Sequence, residues 1–401
     1  MKKKMMGLFI WFIVTLFVVY AFFLNTAGAV FSDAIKASMQ LSNVGAAFAV
    51  GSFILGFACM QIPAGYLLDR FPIRIVASSG IFFLALGNFT LSFASNLPLF
   101  ALSNFVQGLG ASFAFISVGK LIGQWFAPKM FPVLFGLTQT ISCVLTAFIH
   151  YYLVQALEIV TWQIIYRELA IFGFILFAIM SIFVRSPAGL KVEKSLSFGK
   201  SMSTVLKNKQ IWLCSIAGAT SFGVLAAYAS FWYMPVQKYF VVDLSQSLIV
   251  SGMIFAGIGV GTPFLGWLSN KVRSRKLVIH ASVVFGAIFL LMCIYLPHFD
   301  VNTYVPIEFI SFCTGFFLSG SMLYYTVISE LSSSNTKAVA LGLINTSVFV
   351  FNTLLLFIPQ FFITKDSTSY FTYLWILPAS VLLSIFFGYF VRESFQKSGK
   401  D

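Results

Sequence analysis

The sequence predicts an all-α integral membrane protein: twelve transmembrane helices in two pseudo-symmetric six-helix bundles, with both termini cytoplasmic. Three observations predict it. First, 59% of the 401 residues are hydrophobic and only 9% are charged, against about 25% charged in a soluble domain. A surface so poor in charge would precipitate, which excludes an ordinary soluble enzyme and a disordered chain. Second, the apolar residues fall in blocks of about 20, the length that crosses a hydrocarbon core. Third, Lys and Arg gather in alternate connecting segments, as they do in the cytoplasmic loops of polytopic proteins.

The apolar blocks are 8–30, 43–67, 75–95, 99–126, 132–156, 162–184, 211–234, 246–268, 277–296, 305–329, 338–363 and 371–391. Lys2-Lys3-Lys4, the first apolar run and Ala27-Gly28-Ala29 mimic a secretory signal. The run is too long for a usual signal core, and its removal would invert the charge bias, so it reads as a retained first helix. With the N-terminus inside, 20 of the 25 basic residues lie in cytoplasmic segments and only Lys36, Lys238 and Lys365 in outer loops. That split sets the orientation and accounts for the net charge of +13 without nucleic acid. Cys59, Cys143, Cys214, Cys293 and Cys313 all lie inside apolar blocks and form no C-x-x-C pair. They read as small packing residues, not as a disulfide or zinc framework.

The longest cytoplasmic loop, 185–210, is polar and Lys-rich. It separates an N-terminal bundle, 1–184, from a C-terminal bundle, 211–401. The halves repeat. G-Y-L-L-D-R-F-P-I-R (Gly65 to Arg74) matches G-W-L-S-N-K-V-R-S-R (Gly266 to Arg275), which pairs Asp69 with Asn270, Arg70 with Lys271 and Arg74 with Arg275. G-L-T-Q-T (Gly136 to Thr140) matches G-L-I-N-T (Gly342 to Thr346). Offsets of 201 and 206 residues support one duplication, and internal repeats are common in secondary transporters.

With these residues in view the chain resembles the major facilitator superfamily. Gly65-x-x-x-Asp69-Arg70-x-Pro72-Ile73-Arg74 is similar to that family's signature loop, with Pro72 and Ile73 departing from Gly and Arg, and Gln61-Ile62-Pro63 before it is also family-like. The resemblance implies a 6+6 helix fold, transport by alternating access, and a loop that latches the cytoplasmic side when the transporter opens outward. Physically, a carboxylate at the end of the second helix can accept hydrogen bonds from a neighbouring helix N-terminus or pair with an Arg. Subfamily marks are missing. Gln107-Gly108-Leu109-Gly110 is present, but Asn104 stands where proton-linked members often carry Arg. The fifth span lacks the Gly-Pro pair of drug antiporters, and spans 1 and 7 lack the Arg residues of organophosphate exchangers.

An ionisable residue at membrane depth is a functional candidate. Lys120 lies far around its helix from Asn104 and Gln107 and near the cytoplasmic end, so it reads as snorkelling or as an anion contact. Arg167 and Glu168 are helical neighbours pointing about 100° apart. Glu308 lies near the outer start of the tenth span. Glu308, Glu168, His150 and Lys120 are the candidates for coupling. Helical phase groups Gln139, Thr146 and His150 in span 5, Asn345 and Asn352 in span 11, Ser221, Tyr228 and Trp232 in span 7, and Thr314, Ser321 and Tyr325 in span 10. Such polar stripes belong inside the bundle, either in a cavity or in helix–helix hydrogen bonds. With Asn104, Gln107 and Asn25 these are the candidate cavity residues. Gln139 and Asn345 stand out as repeat equivalents, expected to face each other across the centre. Ser384 in span 12 is expected to pack peripherally.

No residue set suits covalent catalysis, a metal or a cofactor, and no P-loop is present; Gly257, Gly259 and Gly261 read as helix packing. The sequence therefore predicts a multi-pass transporter of a bacterial cytoplasmic (inner) membrane, monomeric, for a small polar or amphipathic solute, with import favoured and a co-transported proton allowed. Its rivals are an exporter of a drug, metabolite or siderophore, and a non-transporting membrane receptor or sensor.

Overall fold

The computed structural model describes residues 2–41, 43–187, 197–233, 236, 244–296, 307–357 and 374–395. Among these residues the chain is all-helical. The long elements are α1 (Lys2–Val30), α3 (Asn43–Arg70), α4 (Ile73–Leu91), α7 (Phe131–Ala156), α8 (Trp162–Phe183), α12 (Leu244–Lys271), α13 (Arg275–Tyr295) and α16 (Lys337–Phe357). The short ones are α2 (Ser32–Met39), α5 (Leu97–Ala111), α6 (Phe113–Trp125), α9 (Phe198–Lys207), α10 (Lys209–Gly218), α11 (Val224–Ala227), α14 (Ile307–Leu318), α15 (Leu323–Leu331) and α17 (Ile376–Tyr389). Eleven helical stretches among the described residues are long and apolar enough to cross a membrane, each within or overlapping one predicted block. The twelfth block carries α17, an apolar helix of 14 residues.

Spans 4, 7 and 10 are not regular. Span 4 breaks at Ser112, between α5 and α6, where the Ser112 hydroxyl bonds back to the Leu109 carbonyl at 2.7 Å. Span 7 alternates α10 and α11 with π-helical segments Ala219–Gly223 and Tyr228–Trp232. Hydroxyls there compete with the backbone ladder: Thr220 bonds the Ile216 carbonyl at 2.8 Å, Ser221 that of Ala217 at 2.6 Å and Ser230 that of Ala226 at 2.7 Å. Span 10 breaks between α14 and α15 at a 3₁₀ segment, Ser319–Met322, where Ser319 and Ser321 bond back to the carbonyls of Phe316 and Leu318.

The chain divides into two compact units. One comprises Met1–Pro128, Val144–Ser203 and Ser333–Gly342; the other comprises Lys129–Cys143, Thr204–Ser332 and Leu343–Asp401. The start of α16 thus clusters with the first unit and the start of α7 with the second. Glycine explains both assignments. In the first unit a Cβ on Gly65 would stand 2.5 Å from the Ala338 carbonyl oxygen, and one on Gly342 would stand 2.8 Å from that of Gln61. In the second, a Cβ on Gly266 would stand 2.8 Å from the Pro132 carbonyl oxygen, and one on Gly136 would stand 2.8 Å from the Pro263 nitrogen. Backbone lies directly on backbone at both crossings, as small residues allow between membrane helices. Gly257 and Gly261 of α12 meet α14 in the same way, at Phe312 and Phe316.

Candidate functional site

In the first unit the signature loop builds a compact polar centre. The Asp69 carboxylate, at the last turn of α3, accepts hydrogen bonds from the backbone amides of Ala338 (3.1 Å to each oxygen) and Val339 (3.0 Å). These are free N–H groups of the first turn of α16, where the helix dipole also favours an anion. From the other side, Lys120 Nζ lies 3.6 Å from Asp69 Oδ1 and donates to the Leu68 carbonyl. The side chains are only 3% (Asp69) and 11% (Lys120) exposed. Lys120 therefore does not snorkel to water: it is the buried counter-ion of the loop aspartate. Arg70 and Arg74 are exposed, and Arg70 bonds the Tyr66 hydroxyl at 2.6 Å.

The second unit carries the repeat of this loop with different chemistry. Asn270 donates to the Lys129 carbonyl at 2.8 Å, just before α7, and accepts from Arg275 Nη1 at 2.7 Å. Arg275 is 1% exposed. It forms an ion pair with Glu330 at 2.9 Å and bonds Ser269 at 2.6 Å. Glu393, beyond α17, accepts from the amides of Arg275 (3.0 Å) and Lys276 (3.1 Å) and from the Ser274 hydroxyl. Partial burial pushes the Glu393 carboxyl up, but the bonds from Ser274 and from the amides of Phe395, Arg275 and Lys276 outweigh it and hold the group below the usual range. Lys271 lies 5.2 Å over the Trp267 ring.

Sequence reasoning misses Glu330 and Glu393. A signal for Glu393 exists: Phe183-Val184-Arg185 recurs as Phe390-Val391-Arg392, 207 residues on, which marks the segments after α8 and α17 as a further repeated stretch. There Ser186 bonds Gln124 at 3.1 Å, while Ser394 bonds Glu330 at 2.6 Å.

The membrane-depth polar residues divide into two groups. Several join helices. Asn104 donates to the Ala49 carbonyl at 2.9 Å, Trp232 to that of Leu355 at 3.0 Å and Asn352 to that of Gly223 at 3.5 Å, and Thr314 meets Cys293 Sγ of α13 at 3.3 Å. Ser384 is not peripheral: it is buried and bonds the Ala217 carbonyl at 2.7 Å. Others form a local cluster in the second unit. Tyr325 donates to Asn345 Oδ1 at 2.9 Å, while Asn345 Nδ2 is buried with no hydrogen-bond partner. The Tyr325 ring packs on Phe135 with centroids 5.4 Å apart. Gln139 is one turn from Phe135 on the same helix face, 4% exposed, and touches Cys143 at 3.3 Å.

Gln107 is buried with an unpartnered Nε2, Tyr228 lies beside Cys293, and Asn25 is half-buried. Glu308 sits in the first turn of α14. Arg167 and Glu168 are exposed, and Arg167 stacks 5.2 Å over Phe93, so the two do not need each other. The side chain of His150, on α7, lies outside the described residues.

Eleven stretches among the described residues are long and apolar enough to cross a membrane, and between the helices lie a carboxylate bonded to a helix start and buried amides, which places the chain in the class of multi-span membrane proteins. The family model of the Major Facilitator Superfamily matches residues 12–354, and the chain belongs to that superfamily. The Probable galactarate/D-glucarate transporter GarP of Escherichia coli strain K12 is 25% identical over 158 residues, 37% of this chain and 35% of that one. The Uncharacterized transporter YybO of Bacillus subtilis strain 168 is 28% identical over 122 residues, 30% of this chain and 28% of that one. The chain thus spans about a third of the length of the curated relatives it matches. Among solved structures, the proton:xylose symporter XylE, bound to 6-bromo-6-deoxy-D-glucose, superposes with TM-score 0.73 at 13% identity over 96% of this chain and 95% of that one. A singly substituted form of the fucose:proton symporter FucP of E. coli superposes with TM-score 0.70 at 15% identity, over 95% and 99%. These likenesses establish the fold.

Proposed function

We propose that this chain is a secondary transporter that carries a small, uncharged or zwitterionic, hydrogen-bonding solute by alternating access, with import the working direction. It crosses a bacterial cytoplasmic membrane twelve times as a monomer, with both termini inside. Gln139 and Asn345 supply the central polar contacts. The observation that carries this reading is the Asn345 amide. Tyr325 ties up its oxygen, which leaves a buried, oriented N–H donor without a partner. A buried unpaired donor costs about 1–3 kcal/mol, and a solute oxygen would remove that cost.

The names of the fold neighbours include neutral sugars, which are rich in such oxygens, whereas the relative GarP is named for sugar diacids. The described polar residues between the helices are mostly amides, hydroxyls and aromatics, which favours a neutral or zwitterionic solute over a multiply charged one. The test is thermal stabilisation of the purified protein by a panel of neutral sugars, sugar acids and zwitterionic metabolites. A ligand that stabilises the wild type but not Asn345→Ala supports the assignment. A ligand that stabilises both equally overturns it.

The loop centred on Asp69 is the latch of the closed cytoplasmic side in this reading. When the cytoplasmic side opens, the Asp69 carboxylate leaves the α16 amides. Asp69→Asn weakens the latch, and with it the state that is open to the outside.

A further inference from the structure

Resting on that alternating-access reading, we infer that Lys120 is the positioning residue that lets the latch open: it holds the Asp69 charge in both states and so sets their balance. The geometry separates the partners of Asp69 into two kinds. The amides of Ala338 and Val339 belong to α16 and are lost when the latch opens. Lys120 belongs to α6, and its ammonium is fixed by the Leu68 carbonyl, one residue before Asp69 on α3. Lys120 is tied to α3 itself, through the Leu68 carbonyl beside Asp69, so the Lys120–Asp69 pair does not depend on α16 and persists when α16 withdraws.

The pair is also specific to the first half. The repeat equivalents of Asp69 and Lys120 are Asn270 and Thr326, both uncharged, and the ion pair there, Arg275 with Glu330, uses other positions. A lone carboxylate would be held by the helix start alone. Its release would leave the carboxylate at the α3–α6 contact with no protein partner, which is costly when one partner of a pair is missing. Lys120 removes that obstacle without competing for the latch, because a carboxylate has lone pairs for the amides and for the ammonium together.

This predicts opposite signs for two removals. Lys120→Met leaves Asp69 satisfied only in the latched state, so the latch closes more tightly. Asp69→Asn removes the anion, so the latch loosens.

The reporter is Ala338→Cys. Position 338 is 0% exposed beside the latch and offers an introduced thiol only when α16 lifts away. The full chain, with exposed Cys59 replaced by Ser, is held in lipid nanodiscs. Alkylation of the introduced thiol by a maleimide is followed by peptide mass spectrometry.

Lys120→Met should slow labelling by at least about fivefold and Asp69→Asn should speed it. The double substitution should return to within about twofold of the Asp69→Asn rate, since no carboxylate is left to compensate. Lys120→Arg should label like the parent.

If Asp69→Asn fails to speed labelling, the latch reading itself falls. If it does speed labelling while Lys120→Met also speeds it or leaves it unchanged, the role of Lys120 falls alone. A merely structural lysine would loosen the site when removed, the opposite sign.

Discussion

The side chains with most consequence are those whose hydrogen bonds are incomplete or charge-assisted. Asn345 is held from one end only. Removing the amide should therefore weaken solute binding by roughly 5- to 150-fold, the equivalent of about 1–3 kcal/mol for an acceptor left buried and unpaired. Tyr325→Phe should do less, because it frees the amide to rotate without deleting it. Equilibrium binding of the stabilising ligand checks the order Asn345→Ala, then Tyr325→Phe, then wild type. Glu393 offers a pH test outside the membrane spans. Its carboxyl titrates below the usual range in the folded state. The stabilisation it supplies is thus fully present above the unfolded value, about 4.3, and is lost as pH falls through the lower folded value. Glu393→Gln should lower Tm at neutral pH, and the gap to wild type should close on acidification through that window. A gap that persists at the acid end would contradict the assignment.

Among the elements, the two glycine crossings make a paired prediction because each helix carries its own control. On α3, Gly65 lies on the α16 backbone while Gly51 has nothing within 4 Å of its Cβ position. On α12, Gly266 lies on Pro132 while Gly252 is likewise open. Gly65→Ala and Gly266→Ala should each cost about 1–3 kcal/mol through overpacking. Gly51→Ala and Gly252→Ala should be neutral or stabilising by up to about 1 kcal/mol, the helix-propensity difference. Thermal unfolding of the four variants checks it. These elements also show how far sequence reaches. Blocks of about 20 apolar residues locate all eleven long spans, because bilayer thickness imposes that length on any crossing helix. The π segments of span 7 are not legible, since they depend on which hydroxyls turn back to the ladder. The partner of Asp69 is half legible. Its place at the end of α3 implies a helix N-terminus, but Lys120 is 51 residues away and its apposition depends on how α6 crosses α3. Gln139 and Asn345 are legible as repeat equivalents; the Tyr325 bond that orients one of them is not.

Across the whole molecule, the repeat is conserved in backbone plan and divergent in charge, and that divergence bears on energy coupling. Both halves place a close glycine crossing and a polar loop residue at the same positions, yet each has its buried ion pair on different ones: Asp69 with Lys120, and Arg275 with Glu330. Asp69 accepts from the start of α16 and Lys120 donates to the Leu68 carbonyl, while Arg275 and Glu330 bond the side chains of Ser269, Asn270 and Ser394. Each charge in them is thus already satisfied within the protein. A proton carrier needs a group that meets solvent from each side in turn, and its charge must change over the working pH. The fold neighbours XylE and FucP are described as proton symporters, but here Asn104 stands at a position that often bears Arg in proton-linked members, and it is committed to the Ala49 carbonyl. The groups the sequence offers for coupling are Glu308, Glu168 and His150. The expected outcome is one of two behaviours. Uptake into proteoliposomes either proceeds unchanged when a protonophore dissipates the pH gradient, as in facilitated diffusion, or falls to the equilibrating rate and loses gradient-driven accumulation on substitution of at least one of Glu308→Gln, Glu168→Gln or His150→Ala. Accumulation that requires the gradient and survives all three substitutions together would place the proton elsewhere, and the buried Asp69 carboxylate would then be the next group to examine.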